Sequence, residues 1–167
     1  GSAAAQAGIS TKVIAGIALN RGVGGINPGA VEIALDQGAK IVWLPTFDAH
    51  NHACAFGGTG DYGFSSMRLA FKGSSRPHGN FSALHEGRLT DDAKEVIDIV
   101  AAYDAVLATG HVSREEIFAV FEYARARGVK RLVVTHPEFV VPNLDVETMQ
   151  ILAAEGGVNV LSQSPDP

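Results

Sequence analysis

The sequence predicts an α/β fold of parallel βα units, with about five strands and a long insertion after the second strand. Three observations carry this. The apolar runs at 12–19, 40–46, 105–108, 131–135 and 158–161 are continuous, not alternating. Such runs are expected of strands covered by helices. Stretches of helical periodicity stand between them. The strand starts at 13, 40, 105, 131 and 158 are spaced by 27, 65, 26 and 27 residues, so three of the four intervals each hold one compact βα unit. Strand–helix–strand order with right-handed crossovers makes a parallel sheet.

The elements follow in order. The first strand runs into the turn Arg21-Gly22-Val-Gly24-Gly25-Ile-Asn27, and a helix is expected over 28–37. Pro28 suits a first helical turn and Gly38 a stop. A glycine turn before a helix is also the setting of a phosphate-binding loop. A dinucleotide loop would have glycine where Asn27 stands, so a tight turn with Asn27 as N-cap is the favoured reading. The second strand, 40–46, leads into an irregular stretch over 47–90, which adds about 38 residues to the repeat. Segments of that length in compact domains are functional or disordered, and this one leaves the strand end where α/β folds place ligands. A helix over 91–103 shows the apolar face Ala93, Val96, Ile97 and Val100. After the third strand, a helix over 113–127 opens with the capping box Ser113-Arg-Glu-Glu116 and closes at Gly128. After the fourth strand, a helix over 145–155 stops at Gly156-Gly157 before the fifth strand. Residues 1–10 read as a tag scar with a disordered N-terminus, and 162–167 as a loose C-terminus of one α/β domain spanning 1–167.

Composition narrows the function. The chain has 167 residues, 46% of them hydrophobic and 19% charged, which is globular. Its formal net charge is -5, with no basic stripe, so no nucleic-acid partner is expected. No apolar run has the length of a membrane span, so no membrane partner is expected either. Cys54 stands alone in the sequence, which excludes an internal disulfide and fits a cytoplasmic protein. It reads as a small semi-polar filler.

The strand ends carry the candidate chemistry. The second strand runs into Thr46-Phe-Asp48-Ala-His50-Asn-His52, the third into Thr109-Gly110-His111, and the fourth into Thr135-His136-Pro137-Glu138. In a parallel sheet these ends share one rim. His52, His111 and His136 are the candidate metal ligands, for zinc first, with manganese or iron as alternatives. Asp48 and Glu138 are the candidate catalytic carboxylates. Arg21 and Asn51 are the candidate substrate-binding residues, Arg21 for an anionic group. His50 is the weaker candidate beside Asp48, and His78 and His85 read as solvated loop residues.

Four segments together resemble a known group. They are Gly24-Gly-Ile-Asn-Pro-Gly-Ala-Val31, then Val42-Trp-Leu-Pro-Thr-Phe-Asp-Ala49 with Asn51-His52, then Ala108-Thr-Gly-His-Val-Ser113, then Val133-Val-Thr-His-Pro-Glu-Phe139. The chain resembles an uncharacterised family of amidohydrolase-like, metal-dependent hydrolases over most of its length. The resemblance implies a partial TIM-barrel-like fold, matching the middle strands of a barrel with its metal site on the C-terminal rim. By it, His111 and His136 fall on the histidine ligands of two successive barrel strands, and 48–52 on the segment that often holds a bridging ligand. The first-strand His-x-His pair and the last-strand aspartate of that superfamily have no counterpart here. The chain then reads as a fragment of a longer barrel, or as a shortened relative that pairs with another copy. The implied activity is attack of metal-activated water on an amide, ester, lactone or phosphoester of a small-molecule substrate. The rival expectation is a non-catalytic α/β binding or assembly module derived from such a barrel. An open sheet with apolar faces makes a homo-oligomer expected.

Overall fold

In the computed structural model, residues 13–56 and 80–160 are described. The readings for 1–10, 162–167 and His78 fall outside them. The main sheet has five parallel strands: β1 (Gly16–Ala18), β2 (Ile41–Trp43), β5 (Val106–Ala108), β6 (Arg131–Thr135) and β7 (Gly157–Val160), adjacent in that order. The α/β fold of parallel units is therefore present, as an open sheet. The helices between the strands are α1 (Pro28–Asp36), α3 (Asp91–Ala102), α4 (Arg114–Ala126) and α5 (Val146–Ala154).

Local chemistry explains these boundaries. The Asn27 side chain accepts from Ala30 N at 3.2 Å and Pro28 takes the first helical position, so the turn before α1 is a capped helix start. Ser113 and Glu116 form both bonds of the capping box at α4. The Thr90 and Asp145 side chains cap α3 and α5 with single bonds, accepting from Ala93 N and Thr148 N.

The stretch 47–90 is less irregular than expected. Its described part holds a short helix, α2 (His50–Ala55), and a hairpin of β3 (Leu84–His85) with β4 (Arg88–Leu89). Neither has a periodic sequence signal. α2 has six residues and no side-chain cap, and the hairpin has two residues per strand.

The registers show how the core is layered. Val42, Leu107, Leu132 and Gly157 align across the sheet and are all buried. Val42, Leu107 and Leu132 join the apolar cluster with Val31, Leu35, Val96, Val100, Ile117, Val120 and Phe121. α1 packs on α3, and α3 on α4. The neighbouring row lies on the opposite face. There Trp43 and Val133 are half-buried, and Val158 is 59% exposed. Helices thus bury one face more completely than the other, although the continuous apolar runs suggest two covered faces. Among the described residues, no helix is long and apolar enough to cross a membrane.

Candidate functional site

The site is built where β2, β5 and β6 end. Each strand hands its chain to a turn, and the turns are locked together by two threonines. Thr135 N donates to Thr109 Oγ1 at 3.0 Å, and Gly110 N donates to Thr135 Oγ1 at 3.2 Å. This clamp accounts for the threonine two residues before His111 and the one directly before His136. Gly110 turns the chain at φ 60°, and His111 N then donates to Pro45 O at 2.9 Å. His136 also adopts a left-handed conformation, at φ 46°, while its N–H reaches Val160 O at 2.9 Å. A non-glycine residue held there carries backbone strain, which collects at functional sites.

The expected metal ligands meet in part. Buried His52, on α2, and buried His111 face each other with Nδ1 atoms 2.8 Å apart and rings stacked at 5.0 Å. The His136 ring lies 6.2 Å from that of His111, and its Nδ1 is buried with no hydrogen-bond partner. Three phenylalanines wall the group. Phe47 stands edge-on to His52 at 5.6 Å and to His111 at 5.5 Å, Phe56 lies 4.7 Å from His52, and Phe139 lies 5.8 Å from His111. Burial among these rings lowers the His111 pKa to about 3, with the His52 and His136 charges adding to the effect. Burial also lowers the His52 pKa, against the opposing pull of the Asp48 carboxylate. His111 is therefore neutral at physiological pH, and a neutral imidazole is the form that binds metal.

The other candidates divide. Asp48 is buried, and its Oδ2 accepts from Arg21 N at 2.9 Å. Arg21 thus joins the site through its main chain. Asn51 Nδ2 donates to Val141 O at 2.8 Å and to His111 O at 3.3 Å, so this amide ties two rim loops together. Glu138 is exposed on the loop between His136 and Phe139.

Asn20 is a site residue that sequence reasoning missed. Its Nδ2 donates to Thr46 Oγ1 at 2.7 Å, and its Oδ1 accepts from Thr46 N at 2.9 Å and Asp48 N at 3.3 Å. It holds the Asp48 loop against the end of β1. Its position just past the first apolar run was the available signal. The three phenylalanines were likewise not assigned to the site.

The donor types gathered here are the His52 and His111 imidazoles, a third imidazole whose Nδ1 has no hydrogen-bond partner, and the buried Asp48 carboxylate. Among the described residues, no group of three or more His, Cys, Asp or Glu is arranged to hold a metal ion. The converging set is the His52–His111 pair, with His136 beside it.

Fold and site define a parallel α/β protein with a histidine cluster on the C-terminal rim of its sheet. The chain belongs to the Family of unknown function (DUF6282), whose profile matches residues 2–159. Searches of curated proteins and of solved structures gave no match.

Proposed function

We propose that this chain is a metal-dependent hydrolase of the amidohydrolase type, built on part of a TIM-barrel-like sheet. The observation that carries the proposal is the buried His52–His111 pair, 2.8 Å apart at Nδ1, with His136 on the adjoining strand end. The strand order supports the barrel kinship. Each parallel strand adds beside the previous one, as in a singly wound barrel, with no reversal of order.

His52, His111 and His136 would hold the ion, zinc in the first instance. A divalent ion supplies Lewis-acid polarisation of a carbonyl or phosphoryl group and acidifies water. Asp48 would take up a proton beside His52, held in place by Arg21 N and by the Asn20 bonds to its loop. Glu138 is the second acid–base group, placed on an exposed loop that a substrate can reach. Phe47, Phe56 and Phe139 exclude water and offer an apolar wall to a small ester, amide, lactone or phosphoester. Arg21 is the group for an anionic part of that substrate. Asn51 keeps the loops bearing His111 and Val141 in register.

Metal analysis of protein purified from metal-replete medium tests this reading. We expect about one equivalent of divalent metal, lost in His111→Ala and reduced in His136→Ala. Metal-free wild-type protein after such purification would overturn it.

A second reading is a non-catalytic binding or assembly module. It is favoured by the lack of an arranged three-donor group among the described residues. It expects ligand or metal binding with no turnover of any ester, lactone or phosphoester. In either reading the less covered sheet face fits a homo-oligomer.

A further inference from the structure

Two cavities of about 320 and 360 Å³ share Arg125 and Glu155 as walls. They lie between α4 and the end of α5, where β6 and β7 begin. The histidine rim is at the other end of β6, five residues or about 16 Å away. This groove is therefore apart from the candidate metal site.

Local sequence builds it. Phe118, Glu122 and Arg125 follow at spacings of four and three, which sets them on one face of α4. Buried Val129 and Leu132 give the first cavity an apolar floor, and half-buried Phe118 does so for the second. Glycines leave the walls open. A Cβ built on Gly128 meets no atom within 4 Å, and one built on Gly156 meets Arg125 Nη1 at 3.6 Å.

Charge marks the groove more than shape does. Arg125 and Glu155 line both cavities, yet neither side chain has an ion pair or hydrogen bond with another described residue. Neighbouring basic groups are paired: Arg127 with Asp98 at 2.6 Å, and Lys130 with Asp104 at 3.3 Å. Two helices also end here, α4 at Ala126 and α5 at Ala154, and the carbonyl end of a helix favours a cation. The groove thus offers a guanidinium fork for a carboxylate. It offers Glu155, Glu122 and two helix ends for an ammonium group, and an apolar floor for a hydrocarbon chain.

From this arrangement we infer that the groove binds a free amino acid with an apolar side chain. Arg125 takes the carboxylate through paired N–H bonds, and Glu155 with Glu122 takes the ammonium group. The side chain lies on the floor of Val129 and Leu132. A simple amine or a simple carboxylic acid leaves one of the two charges without its partner, so both are discriminated against. The binding needs no metal and stands whichever reading of the histidine rim holds.

The test is titration of the intact protein with L-leucine, followed by NMR at the backbone amides of Gly128 and Gly156. Those amides should shift with a dissociation constant of about 1 mM or below. Leucine should bind at least about tenfold tighter than leucinamide, which lacks the carboxylate, and than 4-methylpentanoate, which lacks the amine. Arg125→Met should remove the preference over leucinamide alone, and Glu155→Gln the preference over 4-methylpentanoate alone. Each preference is read within one variant, so a general loss of stability does not imitate it. No shift at Gly128 and Gly156 up to about 10 mM leucine overturns the inference. So does equal affinity for leucinamide in the unaltered protein, or an Arg125→Met variant that keeps the preference. Leucine shifts confined to Gly110 and His111 overturn it as well, because the ligand would then sit on the histidine rim.

Discussion

Gly110 shows how tightly the rim is drawn. A Cβ built there would lie 2.4 Å from Leu44 O and 2.6 Å from Pro45 O, both main-chain atoms that cannot swing aside. The left-handed φ adds strain for any other residue. Gly110→Ala should therefore cost about 2–3 kcal/mol of folding stability. It should also draw His111 away from His52, because the His111 N–H is anchored to the same Pro45 carbonyl. Urea unfolding measures the first effect, and ring-to-ring NMR contacts between the two histidines measure the second. An unchanged midpoint would mean that the end of β2 yields more easily than its hydrogen bonds suggest. Such residue-level detail was partly legible beforehand. His111 and His136 at two strand ends could be read because β5 and β6 are plain apolar runs with abrupt polar ends. The hydrogen bonds of Asn20 and Asn51 could not, because each joins segments that no local pattern brings together. Asn80 is thirty positions from His50 and meets its ring only through folding.

Among the elements, α4 carries more than its own cap. Glu116 is buried at 4% exposure, and its two carboxylate oxygens serve three donors. Oε2 accepts from Ser113 N at 2.7 Å, while Oε1 accepts from Ser82 Oγ and Ala83 N, each at 2.7 Å. One side chain thus starts the helix and anchors the chain that returns toward α3. Glu116→Ala would leave two main-chain N–H groups without their acceptor and should cost about 3 kcal/mol. Glu116→Gln keeps one acceptor oxygen and should cost about half as much. Chemical denaturation of the two variants checks the order, and equal losses would show that charge matters more than the number of acceptors. The helix itself was readable from Ser113-Arg-Glu-Glu116, since a capping box is local chemistry. The second half of the Glu116 role was not readable, because residues 82 and 83 are remote in sequence. The hairpin β3–β4 was missed for another reason. Its turn places Glu86 and Gly87 at φ 50° and 73°, and glutamate is not a residue that announces such a turn. α2 was missed because His50-Asn-His-Ala-Cys-Ala55 has no apolar stripe to set a period.

For the whole molecule, strand order leaves β1 and β7 as the two edges of the sheet among the described residues. Edges with free main-chain groups and apolar side chains favour association. Val13 and Ile14 are 68% and 58% exposed ahead of β1, and Val158 and Val160 are 59% and 44% exposed on β7. A second copy set against β7 would cover Val158 and extend the apolar row that includes Trp43 and Val133. We therefore expect a dimer or higher assembly in light scattering. Val158→Lys should shift it toward monomer while leaving the far-UV spectrum unchanged. Val158 is the better probe than Val160, because the Val160 carbonyl receives the His136 N–H and a change there would disturb the rim directly. Val158 pairs with Val133, two positions before Thr135, so a lysine there tests the interface with the threonine clamp intact. Wild-type protein that stays monomeric across the micromolar range would sink the assembly. The exposed valines of β7 would then be a surface for something other than this chain.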